Sequence, residues 1–504
     1  MPGRPTPSRT PSPSRGASAG RSSSAAGRGR APRRTGSSRP APAPVKSDLE
    51  IALDAAADAA AAAPDVATTF AALGLPERLV IALARRGMEA PFAIQTRAIP
   101  DALAGRDVLG RGATGSGKTL AFGLPLLSRL VGGERLRGTP RGLILVPTRE
   151  LAQQVNDALA PLAQALDLKV TTVYGGASMG RQIDQLRRGV DVVVATPGRL
   201  QDLIDQRECS LHALQVTVLD EADHMADLGF MPAVTKLLDM TAEGTQRLLF
   251  SATLDRGVDK LVRQYLVDPA VHAVASADSA VTTMDHRVFA VQGDAKVDVS
   301  AEIAARPGRT LFFVRTKHGA DRLAMQMRKV GVEAAAIHGN LTQNARKRAL
   351  ENFTSGHARV LVATDVAARG IHVDDVDLVV HYDPPADHKD YLHRSGRTAR
   401  AGASGTVLSL VTSDQVRDHQ RMRERAGVEA SAVSVVVGHP AVRELAESGE
   451  AIEVAPRAPY VPRPQGDRRP SYGSASRPRR TGQPSSSGGG PRGGAGRPRP
   501  AHTS

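Results

Sequence analysis

The apolar run Val216-Thr217-Val218-Leu219 ends abruptly in Asp220-Glu221-Ala222-Asp223, three acids in four positions. Carboxylates at the mouth of a buried strand need a cation, and a second motif says which one. About a hundred residues upstream, Gly112-Ala113-Thr114-Gly115-Ser116-Gly117-Lys118-Thr119 fits the spacing GxxxxGK[ST] at every position. Glycines in such a loop let backbone N–H groups close around phosphate oxygens at a helix N-terminus. Lys118 then meets the β and γ phosphates and the Thr119 hydroxyl meets magnesium. Asp220 is placed to hold the same ion, directly or through water, and Glu221 to orient or deprotonate an attacking water. The chemistry predicted is hydrolysis of ATP with Mg2+.

These groups have to be carried by strand ends. The runs Leu143 to Val146, Val192 to Ala195, Val216 to Leu219 and Leu248 to Phe250 alternate with helical stretches, and after Pro269 a second series follows: Leu311 to Val314, Val360 to Ala363, Leu378 to His381 and Val407 to Val411. Alternation of this kind predicts parallel α/β sheets, here two domains in tandem with a linker near residues 275–283. Ser47 caps a predicted alanine-rich helix that stops at Pro64, read as an accessory segment without chemistry.

Of a formal net charge of +15, the ends supply more than the whole. Residues 1–46 carry ten Arg or Lys and no acid, and residues 457–504 carry ten Arg and only Asp467. Both ends are rich in Ser, Pro, Gly and Arg and poor in large apolar residues, a composition that predicts disorder and an electrostatic tether for a polyanion. The expected organisation is a basic tail (1–46), an accessory helix (47–64), an ATP-binding domain (65–276), a second domain (277–440) and a second basic tail (441–504). One cysteine, Cys209, excludes an internal disulfide, which fits a reducing compartment. No apolar stretch approaches the roughly 20 residues that span a bilayer. A cytoplasmic protein without a membrane partner is the expectation.

Taken together, the loop at 112–119 and the tetrad Asp220 to Asp223 resemble the DEAD-box family of ATP-dependent RNA helicases in superfamily 2, of bacterial type, over roughly residues 68–427. The resemblance implies two RecA-like domains. It also implies that Asp223, with Ser251 and Thr253 of the Ser251-Ala252-Thr253 motif, couples the nucleotide site to the second domain. Phe70 and the stretch from Gly87 to Gln95 look like the family's adenine-recognition motif. A Gln amide offers one donor and one acceptor, matching adenine, so Gln95 is expected to select ATP, with Phe70 stacking on the ring. Phe92-Ala93 replaces the usual Thr-Pro.

The same resemblance assigns RNA contacts. Pro147 to Ala152, Gly175-Gly176 and Thr196 to Arg199 look like RNA-contacting motifs, making Arg149, Gly176, Thr196 and Arg199 candidates, joined by Thr364 and Arg369 of the second domain. No base-reading groups stand out, so binding is expected to follow the sugar-phosphate backbone independently of sequence. His338-Gly339-Asn340 and Gln343 with Arg346 continue the family order. In His393 to Arg400, Arg397 and Arg400 are the implied arginine fingers, with Arg394 touching the catalytic network. His372 stands where the family often has Asp, and the ribose contact implied there passes to it or to Asp374 or Asp375. A DNA-directed helicase and an ATP-gated RNA annealer or clamp working through the tails are the alternatives. Ribosome precursors and RNA-decay assemblies are both compatible settings.

Overall fold

Two parallel sheets with the same strand order organise the chain in the computed structural model, which describes residues 47–62, 68–112, 115–254, 256–274, 284–368, 376–398 and 405–452. The first sheet contains β1 (Val108–Arg111), β2 (Gly142–Leu145), β3 (Val170–Val173), β4 (Val192–Ala195), β5 (Val216–Asp220), β6 (Gln246–Ser251) and β7 (Ala270–Ala273). Their order is β3-β4-β2-β5-β6-β1-β7, and every pair is parallel. The second contains β8 (Asp285–Ala290), β9 (Arg309–Phe313), β10 (Ala334–Ile337), β11 (Val360–Ala363), β12 (Val376–His381), β13 (Thr406–Val411) and β14 (Ala432–Ser434). It runs β10-β11-β9-β12-β13-β8-β14, again parallel throughout.

The central strands are buried along their whole length, as β4 and β11 illustrate. A strand covered on both faces has no solvent side, so its sequence reads as a continuous run of Val, Leu and Ala rather than an alternation. All eight expected strands are present, each within two residues of its expected limits. Helices connect the strands, and the carboxyl ends of β1, β2, β4, β5 and β6 in the first sheet carry the motifs described above. Among the described residues, no helix is long and apolar enough to cross a membrane.

Two boundaries differ from expectation. The alanine-rich helix Asp48–Ala62 is capped as expected, Glu50 N donating to Ser47 Oγ (3.2 Å) and Ser47 N to Glu50 Oε2 (2.9 Å). It is nevertheless part of the first domain. Leu53 lies in the same apolar cluster as Leu109, Leu249 and Ala273, and Asp54 pairs with Arg111 at 2.7 Å. The polar face of a polyalanine stretch hid this, because a single buried Leu carries little periodic signal. At the other end, residues 441–452 are not tail. Helix Pro440–Ala446 buries Val442 and Leu445 in the second core, and Ser448 accepts from Arg306, whose guanidinium grips Asp377 at 2.7 and 2.8 Å. The expected tails at 1–46 and 457–504 lie outside the described residues.

Candidate functional site

The phosphate loop leaves β1 and enters helix Lys118–Arg129, capped by Gly117. Gly115 and Gly117 sit at φ +89° and +87°, a left-handed conformation that glycine adopts without a Cβ penalty. A Cβ on Gly117 would also strike the Gln95 amide and approach Phe92 Cδ2 to 2.6 Å. Gly112 N donates to Ser251 O at 3.3 Å, tying the loop to the end of β6. Lys118 Nζ reaches back to Gly112 O at 2.6 Å, and Thr119 follows it in the first turn of the helix. The Ser116 hydroxyl is buried without a hydrogen-bond partner among the described residues. Ala113 and Thr114 lie outside the described residues.

Asp220 ends β5, the middle strand of the sheet, and is 3% exposed. Burial pushes its carboxyl up to about 7, with Glu221 and Asp223 adding to the rise and Lys118 opposing it. A carboxylate so poorly neutralised by its surroundings, facing a loop with an orphaned hydroxyl, suits an added cation. Glu221 adopts φ +53° as the residue preceding helix Ala222–Asp227, an uncommon conformation for a residue with a Cβ. Its carboxylate meets His224 Nδ1 at 3.0 Å.

Asp223 joins two strand ends. Its backbone N–H donates to Ser251 Oγ at 3.2 Å, and its Oδ2 accepts from both the backbone N–H and the hydroxyl of Thr253 at 2.9 Å each. The three expected coupling residues are therefore one hydrogen-bonded unit.

Gln95 is 1% exposed. Its Oε1 accepts from Phe92 N at 2.9 Å and its Nε2 donates to Gly117 O at 3.0 Å, so the expected base reader is wired to the phosphate loop. Phe70 requires correction as a stacking residue. It is 2% exposed and belongs to the core with Leu75, Leu79 and Leu83, because a full aromatic ring is worth more apolar burial there than a short turn can otherwise supply. The exposed aromatic beside Gln95 and Gly117 is Phe92, at 57%.

The RNA candidates of the first domain gather at the carboxyl ends of β2, β3 and β4. Thr148 caps the helix that begins at Arg149, accepting from Leu151 N at 3.2 Å. The Arg149 guanidinium lies against Gly176, where any Cβ would collide with it. Thr196 precedes helix Pro197–Asp205, and within that helix Arg199 donates to Ala177 O and Gln182 Oε1, both at 3.4 Å. Thr196 thus stands at a helix N-terminus suited to phosphate, whereas Arg199 braces a loop.

In the second domain Thr364 follows β11 at the start of helix Asp365–Ala368. Arg394 grips Asp365 at 2.6 and 2.8 Å, donates to Asp383 O at 2.7 Å and stacks over Phe313. Arg397 is buried beside it, Nε donating to His393 O at 3.3 Å. Arg369, His372, Asp374, Asp375 and Arg400 lie outside the described residues. One link had no role assigned from sequence. Glu150, buried in the first turn of the helix Arg149–Ala165 that follows β2, accepts from Arg346 Nε at 2.8 Å and from Gln343 Nε2 at 3.3 Å, joining the two sheets' domains. Arg346 Nη1 also donates to His338 O at 3.2 Å. A Glu and an Arg nearly two hundred positions apart carry no pairing signal in a single sequence.

Comparison with known proteins agrees with this geometry. A DEAD/DEAH box helicase family profile matches residues 92–261, and a helicase conserved C-terminal domain profile matches residues 295–402. RNA helicase CrhR of Synechocystis sp. is 42% identical over 347 residues, covering 68% of this chain and 70% of that protein. DEAD-box ATP-dependent RNA helicase 30 of Arabidopsis thaliana is 41% identical over 348 residues, covering 68% of this chain but 59% of its own length. The solved structure of S. cerevisiae Dbp5 bound to RNA and ADP BeF3 superposes with a TM-score of 0.67 at 27% identity, covering 76% of this chain and 100% of that one. The chain belongs to the DEAD-box family of ATP-dependent RNA helicases.

Proposed function

We propose that the chain binds ATP and RNA cooperatively and locally separates RNA strands as its two domains close, with hydrolysis reopening them. The observation that supports this most is the meeting of the phosphate loop, the Asp220 carboxyl and the Asp223–Ser251–Thr253 unit at the ends of β1, β5 and β6. In this reading the loop's backbone and Lys118 cradle the triphosphate, and Gln95 reads the base. Thr119 and Asp220 hold magnesium, directly or through water, which when bound neutralises charge on the phosphate oxygens. Glu221 orients the attacking water and accepts its proton. Arg397, with Arg400, supplies positive charge to the transferring group from the second domain.

RNA lies along Arg149, Gly176, Thr196, Thr364 and Arg369, held by its sugar-phosphate backbone, with Arg199 shaping the track. Such contacts are indifferent to sequence, so the RNA chosen in the cell, whether in ribosome or decay assemblies of the cytoplasm, is set by other means. The basic ends at 1–46 and 457–504 act as electrostatic tethers. ATP turnover and duplex unwinding measured with RNA and with DNA at equal nucleotide concentration test the proposal. Glu221→Gln should keep ATP binding, stop hydrolysis and trap RNA. Turnover at the wild-type rate in Glu221→Gln, or equal stimulation by DNA, would overturn it. ATP hydrolysis without strand separation, together with annealing by the full chain in the absence of ATP, would make it an annealer instead.

A further inference from the structure

His224 follows the acidic tetrad directly and is 5% exposed. Its Nδ1 lies 3.0 Å from Glu221 Oε2, and its Nε2 is buried without a hydrogen-bond partner among the described residues. A carboxylate only accepts, so the proton of a neutral ring bonded to it sits on Nδ1 and Nε2 is bare. The backbone N–H of His224 donates to Asp223 Oδ1 at 2.9 Å, while the other oxygen of the same carboxylate holds Thr253. The histidine therefore stands between the glutamate and the unit that joins β5 to β6.

We infer that His224 is a positioning residue for ATP hydrolysis: its Nδ1–H grips Glu221 Oε2 and so fixes the orientation of the carboxylate that activates the attacking water. This deepens the proposed function and rests on Glu221 as the water-activating group. A Glu side chain has three rotatable bonds and loses rotamer freedom when fixed. A buried donor that fixes it in advance spares that cost during reaction, and small misplacements of a reacting group are expensive in rate. The anchoring through Asp223 adds a further consequence: a shift of Thr253 reaches Glu221 through two residues, Asp223 and His224.

The test compares three substitutions in the full chain. In His224→Asn the amide nitrogen takes the place of Nδ1, in His224→Gln it takes that of Nε2, and in His224→Phe both are lost. His224→Gln and His224→Phe should lower kcat of RNA-stimulated ATP turnover roughly 10- to 100-fold, a geometric loss, with KM for ATP unchanged. His224→Asn should recover most of it. Wild-type kcat in His224→Gln, or His224→Asn as slow as His224→Phe, would overturn the inference. Should the Phe variant fold poorly, the Asn and Gln variants, both polar, decide alone. Glu221→Gln turning over at the wild-type rate would instead remove the underlying role of Glu221, so the two failures are distinct.

Discussion

The two sheets share their strand order position for position, yet among the described residues only the first is followed by a glycine-shaped GxxxxGK[ST] loop. β8 occupies the place of β1, and the helix after each begins with lysine: Lys118 in the first domain, Lys296 in the second. β12 occupies the place of β5, and an acid follows in each case, Asp220 ending β5 and Asp383 two residues beyond β12. The surroundings differ. Lys118 lies across a loop whose glycines take positive φ, whereas Lys296 is buried with its ammonium 4.7 Å from the Tyr382 ring centroid. Burial lowers the Lys296 pKa, with Asp383 opposing the shift, and Asp383 itself accepts from Arg315 N at 2.8 Å. The topology delivers a lysine and a carboxylate to the same edge twice. Chemistry needs the open, glycine-shaped loop as well.

The widest separation between the domains should appear on removing the two lysines. Lys118→Ala should abolish ATP turnover, and Lys296→Ala should leave turnover close to wild type while lowering thermal stability; loss of turnover in both would mean that the second loop also handles phosphate. Next in size, Arg397→Ala should slow turnover by about 10³, the range of other arginine fingers, with a smaller effect on RNA affinity. If RNA affinity fell and turnover at saturating RNA held, Arg397 would belong to the RNA track.

Smaller again is the Glu150–Arg346 bond. A double-mutant cycle of Glu150→Gln and Arg346→Gln, read by chemical unfolding, should give a coupling of roughly 0.5–3 kcal/mol; zero coupling would mean that the domains do not depend on it. The smallest effect is one of pH. Burial and the nearby Arg423 lower His419 in the second domain from 6.5 to about 4. The native ring stays neutral while the unfolded one protonates below about 6.5, so stability is full above that pH and falls as pH drops toward about 4. The slope is at most about 1.4 kcal/mol per pH unit for one proton. Buried His381 is shifted in the same direction. Protection of the β12 and β13 amides against exchange, taken relative to the intrinsic rate at each pH, should therefore fall at pH 5 more than that of β5 and β6, and His419→Gln should narrow the gap; an equal fall would remove the distinction.

What could be read in advance followed from local rules. Continuous apolar runs announced the central strands, and GxxxxGK[ST] announced the loop. Less visible were β10, built as Ala334-Ala335-Ala336-Ile337, and β14, whose residues are all exposed, because neither composition nor alternation marks such edges. Within the site, the identities of Asp223, Ser251 and Thr253 were legible through resemblance, but their bonds depend on β5 and β6 lying side by side. Phe70 misled for a related reason: spacing locates an aromatic along the chain without saying which side of the wall it faces.

The anchoring of Gln95 has a consequence for fidelity. An amide normally can exchange its oxygen and nitrogen by turning over, and so present either polarity to a purine. Here Phe92 N claims the oxygen and Gly117 O claims the nitrogen, so turning over would forfeit both bonds, roughly 1–3 kcal/mol together. A base with a carbonyl where adenine has its amine then faces a lone pair that cannot step aside. On this reading the selection of ATP lies less in the presence of a glutamine than in its being denied the freedom to compromise.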